Sequence, residues 1–246
     1  MPLLRNIFFL AMLLLPDVTH AAQANRVSSF LQVSEDVPPP WRMIQLDKRI
    51  SPTLYRVSRW DGVLGIEAFA DHSMSLMARP VSVDLKQTPI LCWHWRVDAP
   101  LQHADMRKKS GDDYAARVYV SFALPAESLG WVTRSKLKLA RLIWGEAVPD
   151  AAINYVWDNQ YPVGTRQPNA YTDRAYVIVS KSGDAHAGQW VAERHDVLKD
   201  VIEAFGVSEV NLIQLAVASD TDNTGEKAHA GFADFHFMGR NQRCDF

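Results

Sequence analysis

The chain has 246 residues, enough to bury a full hydrophobic core in one all-β domain. Hydrophobic residues make up 48% and charged residues 22%, an ordinary globular balance, and the formal net charge is −2. Such a chain lacks the basic surface that displaces counterions from a phosphate backbone, so a general nucleic-acid binder is excluded.

Residues 1–24 read as an export signal. Arg5 supplies the positive start, and residues 7–15 form an apolar run of signal-peptide length, short for a bilayer span. Thr19-His20-Ala21 and Ala22-Gln23-Ala24 place small residues at cleavage positions, so the cut is expected after Ala21, Ala22 or Ala24. The mature protein is then periplasmic, with no transmembrane segment left; an uncleaved anchor is the alternative. Residues 25–40 are polar and end in Pro38-Pro39-Pro40, which favours an extended lead-in before a single domain at 41–246.

From Trp41 onward the pattern is of short strands. They are expected at 41–46, 54–60, 64–70 and 75–83, with Asp61-Gly62 as a hairpin turn. Residues 88–98 and 111–122 alternate with period two. On the first, Leu91, Trp93, Trp95 and Val97 point one way, and Cys92, His94 and Arg96 the other. On the second, Tyr114, Val118, Val120 and Phe122 share a face, opposite Arg117, Tyr119 and Ser121. These two strands are expected to be neighbours, with the charged loop 102–113 between them solvated.

Residues 126–145 switch to three- and four-residue spacing, an amphipathic helix with Arg134, Lys136, Lys138 and Arg141 on a basic face. Such a face is a solvated surface, or one that meets an anionic membrane or polysaccharide. Strands follow at 152–160, 169–180 and 189–196. A short helix spans 196–205, with Asp196 as N-cap and Gly206 just past its end. Strands at 210–219 and 229–238 close the chain. The sum is an all-β, jelly-roll β-sandwich with two inserted short helices. Two readings of the cysteines stay open: a Cys92–Cys244 bridge pinning the C-terminus, or a buried Cys92 and a frayed tail.

Five stretches carry a resemblance. They are Leu-Cys-Trp-His-Trp-Arg-Val-Asp (91–98), Gly-Asp-Asp-Tyr-Ala-Ala-Arg-Val-Tyr-Val (111–120), Asn-Tyr-Val-Trp (154–157), Pro-Asn-Ala-Tyr-Thr-Asp-Arg (168–174) and Asp-Thr-Asp-Asn-Thr-Gly (220–225). Together they resemble a bacterial family of exported proteins known as domain of unknown function 3047, over nearly the whole chain from Trp41 to Phe237. The resemblance implies no activity. The overall pattern also resembles the jelly rolls of carbohydrate-binding modules, which is an analogy of fold.

Two constellations are candidate sites. In the 220–225 loop Asp220, Asp222 and Thr224 alternate and Gly225 permits a sharp turn, as in the first half of a calcium-binding loop. The twelfth position is Gly231 rather than Glu, so this is no EF-hand, and Glu226 or Asp112-Asp113 would have to complete the cage. The alternative is a turn held by its own side chains. The second constellation is a polar sheet face on which His94, Arg96, Arg117, Tyr119, Asn154, Arg174, Tyr176 and Gln214 are expected together, with Trp157 read equally as site or core. Arg forks and aromatic rings there would suit a carbohydrate or another envelope polymer; internal pairing, such as Arg117 with Asp173, is the alternative.

There is no nucleophile elbow, no His-Glu-x-x-His and no phosphate loop. Glu193 with Asp112 or Asp113 would make an acid–base pair only at a suitable separation. The expected function is non-catalytic recognition of a carbohydrate or envelope polymer. A polysaccharide lyase or glycoside hydrolase using Arg117, Tyr119 and His94, and an envelope protein-interaction module using the basic helix, are the alternatives.

Overall fold

The alternating strands seen in the sequence pair into two sheets, each buried on its apolar face. The structure is a computed structural model that describes residues 25–144 and 148–246; the export signal expected at 1–24 lies outside the described residues. Among the described residues thirteen strands run in chain order. They are β1 (Asn25–Arg26), β2 (Arg42–Ile44), β3 (Leu54–Trp60), β4 (Val63–Asp71), β5 (Leu76–Pro80), β6 (Ile90–Val97), β7 (Tyr114–Ala123), β8 (Ala151–Asp158), β9 (Arg166–Pro168), β10 (Ala175–Ser182), β11 (Val191–Asp196), β12 (Asn211–Asp220) and β13 (Lys227–Met238). Helix α1 (Trp131–Trp144) follows β7, and α2 (Val197–Phe205) follows β11.

The first sheet has the order β11-β6-β13-β4-β3, with β1 on β13; the second is β2-β5-β12-β7-β8-β10-β9. Among the described residues the chain crosses between the sheets at β1–β2, β2–β3, β4–β5, β5–β6, β6–β7, β10–β11, β11–β12 and β12–β13, which makes the expected all-β sandwich with its two helices. No helix among the described residues is long and apolar enough to cross a membrane.

The facing surfaces hold the alternating aromatics. Trp93 and Trp95 of β6 pack against Tyr155 and Trp157 of β8 with ring centres 5.4 and 5.7 Å apart, and all four are essentially buried. Side chains of this size each contribute about 1.5–3 kcal/mol by leaving water. The Asp61-Gly62 hairpin forms with both residues at positive φ, as a two-residue turn demands. Asp196 caps α2 by accepting from the Lys199 N–H, and Gly206 ends it in the left-handed region.

Three expectations change. Regular structure already precedes Trp41: β1 pairs with Phe237 and His236, where β4 no longer accompanies β13, and Val27 is buried in the core. The strand expected at 169–180 starts only at Ala175, as β10, because 169–174 turn the chain back from β9, which lies before the expected range. The loop between β6 and β7 is solvated only in part, with 102–103 and 107–110 exposed. It folds over the outer face of the second sheet, where Met106 is buried with Tyr114, Val156, Val177 and Val179.

Cys92 and Cys244 form a disulfide across 152 residues, so of the two readings the pinned tail is the one realised. The tail then covers β6: Phe246 packs at a tilt on His94 with ring centres 3.9 Å apart, and the Asp245 N–H donates to His236 Nε2 at 3.3 Å. Replacing both cysteines with Ala is expected to cost about 2–5 kcal/mol in urea unfolding without reductant, the range for bridges closing long loops; reductant should lower the wild type alone.

Candidate functional site

Polar side chains gather at three places. The first is an acidic centre at one end of the second sheet. A shift in the β7–β12 register between Ala218 and Asp220 turns Tyr114 to the outer face. That corrects its expected place beside Val118. Arg117 then lies over the rings of both Tyr114 and Tyr119, at 4.6 and 5.0 Å. Its Nη1 meets Asp220 Oδ2 at 2.5 Å and the Asp112 carbonyl at 3.1 Å, and its Nη2 lies 3.6 Å from Asp112 Oδ1. The expected partner Asp173 is not the one used.

Asp113 is fully buried and holds the 220–225 turn. Its Oδ2 accepts from the N–H groups of Asn223 and Thr224 and from the Thr224 hydroxyl, at 3.0, 2.6 and 2.8 Å, and its Oδ1 accepts from Asn223 Nδ2 at 3.0 Å. Carboxylate oxygens of Asp113, Asp220 and Asp222 all lie within 4.8 Å of one another. Asp222 Oδ1 is buried and has no hydrogen-bond partner. Of the residues expected to hold a metal, Asp220 and Asp222 thus come together with Asp113, while the Thr224 hydroxyl donates to Asp113.

Charge is short here. Asp112, Asp113, Asp220 and Asp222 converge on one guanidinium. Burial pushes the Asp220 carboxyl up to about 8; Arg117 pulls it down, and Asp113 and Asp112 push it further up. Burial and then Asp113 raise Asp222. Burial would lower Arg117, but Asp220 above all keeps it well above its usual value. Arg117 thus stays charged, and the missing positive charge falls on Asp220. Such an oxygen-rich, under-compensated centre has the donor chemistry of a hard divalent cation.

The second place is the open edge between the sheets. A bulge after Val179 in β10 turns both Ser180 and Lys181 inward, toward Glu193 and His195 of β11. Ser180 Oγ lies 3.0 Å from His195 Nε2, and Lys181 Nζ lies 3.2 Å from Glu193 Oε1, which also accepts from Trp95 Nε1 at 3.1 Å. Asp200 of α2 accepts from the Tyr155 hydroxyl and pairs with Arg166, both at 2.7 Å, while His195 Nδ1 stays 3.9 Å away. Serine, histidine and aspartate are present, but the last link is not a hydrogen bond. The groups clasp one sheet to the other, and Glu193, expected beside Asp112 or Asp113, belongs to this clasp.

The third place is the outer face of the first sheet. Trp60, His229 and Phe69 stack with ring centres 4.0 and 4.2 Å apart, with Arg96 over Trp60 and Arg56 over Phe69. The stack forms because Phe69 and His229 are cross-strand partners on β4 and β13. Gly231 leaves room for Trp190: a Cβ there would lie 2.6 Å from the indole, whose N–H donates to the Trp60 carbonyl. His229 is bracketed by carboxylates, Asp98 at Nδ1 and Glu67 at Nε2, both at 2.8 Å. Beside the stack opens a cleft of about 400 Å³, walled by Phe69, His229 and Pro100 and edged by Asp71, Asp98 and Lys227.

The expected polar face is thus divided. Arg117, Tyr119, Asn154 and Gln214 do share the outer face of the second sheet, but Arg117 and Asn154 are buried there. His94 and Arg96 lie on the outer face of the other sheet, His94 bound to Asp234 at 2.9 Å under the tail and Arg96 paired with Asp61. Trp157 is core, donating to the Gly183 carbonyl at 2.9 Å. Arg174 and Tyr176 pack on Phe205 of α2, at 5.4 and 5.7 Å, and Arg174 also donates to the Asp150 carbonyl. The sequence reading missed Phe69, His229 and Glu67; the signal was their place on the face of β4 and β13 that was not cleanly apolar.

Three of the five stretches that carry the resemblance, at 111–120, 168–174 and 220–225, meet in the acidic centre, where Asn169 donates to Asp112 Oδ2 at 2.8 Å and the Tyr171 hydroxyl meets Asn223 Oδ1 at 2.8 Å. Among curated proteins nothing matches the chain. Among solved structures it is similar to the xyloglucanase domain of NopAA, a type three effector from Sinorhizobium fredii, in complex with cellobiose. That likeness has 9% identity and a TM-score of 0.36 over 83% of this chain and 100% of that one, too low to carry an argument about ligand or activity. The model of a protein family of unknown function, DUF3047, matches residues 39–236, and the chain belongs to that family.

Proposed function

We propose that the protein is an exported, non-catalytic module that binds carbohydrate in the cleft beside Phe69 and His229, with a calcium ion in the acidic centre. The observation that carries the reading is the composition of the cleft, which is lined by two aromatic rings and a proline together with carboxylates and an ammonium. A sugar needs both, because its C–H face packs on apolar rings while its hydroxyls bond to charged groups. Export through residues 1–24 to the periplasm belongs to the same reading. The lyase or hydrolase alternative built on Arg117, Tyr119 and His94 loses its geometry, since His94 stands on the opposite sheet.

Affinity electrophoresis through gels containing neutral or acidic polysaccharides tests the reading. The wild type is expected to be retarded in at least one gel, and Phe69→Ala and Asp98→Asn to run as in a blank gel. Equal mobility of all three proteins in every gel would sink the carbohydrate assignment.

A further inference from the structure

We propose that α1 is a membrane-contact element, laying the stripe from Trp131 to Lys138 on an anionic lipid surface. The argument begins with charge. Between Trp131 and Trp144 the sequence has four cations (Arg134, Lys136, Lys138 and Arg141) and no acidic residue, in a chain whose net charge is −2. That asymmetry is local and points to an anionic partner.

Exposure supplies the second step. Leu129 and Leu137 are buried and dock the helix on the body of the protein. The opposite side is left open: Trp131 is 75% and Val132 45% exposed, and Arg134, Ser135 and Lys138 are exposed as well. Positions 131, 134, 135 and 138 have the spacing of a single helix face. One stripe therefore offers an indole at its start and cations along its length.

This combination selects the partner. Cations alone would suit an acidic polymer, and an indole also stacks on sugar rings, but the exposed aliphatic Val132 beside Trp131 is a group that acyl carbon buries and a hydrated polymer does not. At a bilayer the indole sits at the headgroup boundary, Val132 reaches acyl carbon, and the cations meet anionic headgroups. The element works independently of the carbohydrate cleft.

The test is flotation of residues 25–246, which hold both complete sheets, with vesicles of phosphatidylcholine alone or mixed with phosphatidylglycerol. Binding is expected only to the mixed vesicles and is expected to fall with added salt. Arg134→Ala with Lys138→Ala should weaken it roughly 30-fold. Trp131→Phe should abolish the blue shift of tryptophan emission on binding while circular dichroism stays unchanged. Equal binding to both vesicle types, no binding to either, or binding indifferent to the double Ala variant would overturn the proposal. An acidic polysaccharide that binds through Arg134 and Lys138 without a shift in Trp131 emission would also overturn it, in favour of a polymer partner.

Discussion

Arg117→Met is expected to lower the unfolding free energy by about 3–5 kcal/mol, the cost of breaking a buried ion pair from one side. The guanidinium is 3% exposed and serves Asp220 and Asp112, themselves buried among further carboxylates. Without it those charges lose their cation inside a low-dielectric site. The double variant Arg117→Met, Asp220→Leu should recover a large part of the loss, because an apolar pair of similar volume avoids the desolvation altogether. Urea unfolding of the three proteins decides the matter. A single-variant loss below about 1 kcal/mol would mean that Arg117 holds nothing of consequence.

Calcium is expected to raise stability by about 2.7 kcal/mol when present at a hundredfold excess over its dissociation constant. The gain should appear as a rise in the urea midpoint on adding calcium to chelator-treated protein. Asp222→Asn should remove most of that gain yet leave the calcium-free stability within about 0.5 kcal/mol, since its Oδ1 bonds to nothing within the protein. The pH dependence follows from Asp220, raised to about 8. A cation needs the ionised carboxylate, so the calcium gain should shrink as pH falls below about 8. A midpoint indifferent to calcium at high pH would leave the loop as a turn held by Asp113 and nothing more.

What the sequence made legible was local. The Asp61-Gly62 turn, the Asp196 cap and the Gly206 stop depend on a few adjacent residues, and they form as read. The inward rows of β6 and β8 depend only on alternation. The polar face failed because it required a pairing. Strands β6 and β7 are consecutive, but the connection between them crosses from one sheet to the other, so Arg96 and Arg117 look out of opposite sides. Tyr114 escaped because one register shift reverses a side chain, and alternation has no record of a bulge. The acidic centre was half visible: Asp112-Asp113 was named as a source of ligands, but the use of Thr224 by Asp113 is a contact across 111 residues. Phe69 and His229 meet across a still longer gap, which no periodicity reports.

The carbohydrate reading stands or falls most directly on a glycan array probed with residues 25–246 and with Phe69→Ala, side by side in calcium. The account predicts that the wild type marks one class of glycan and that Phe69→Ala loses that signal at least roughly tenfold, the effect of removing a central aromatic contact. A signal that survives Phe69→Ala unchanged would place the ligand elsewhere on the sandwich, and an array blank for both proteins would contradict carbohydrate recognition itself.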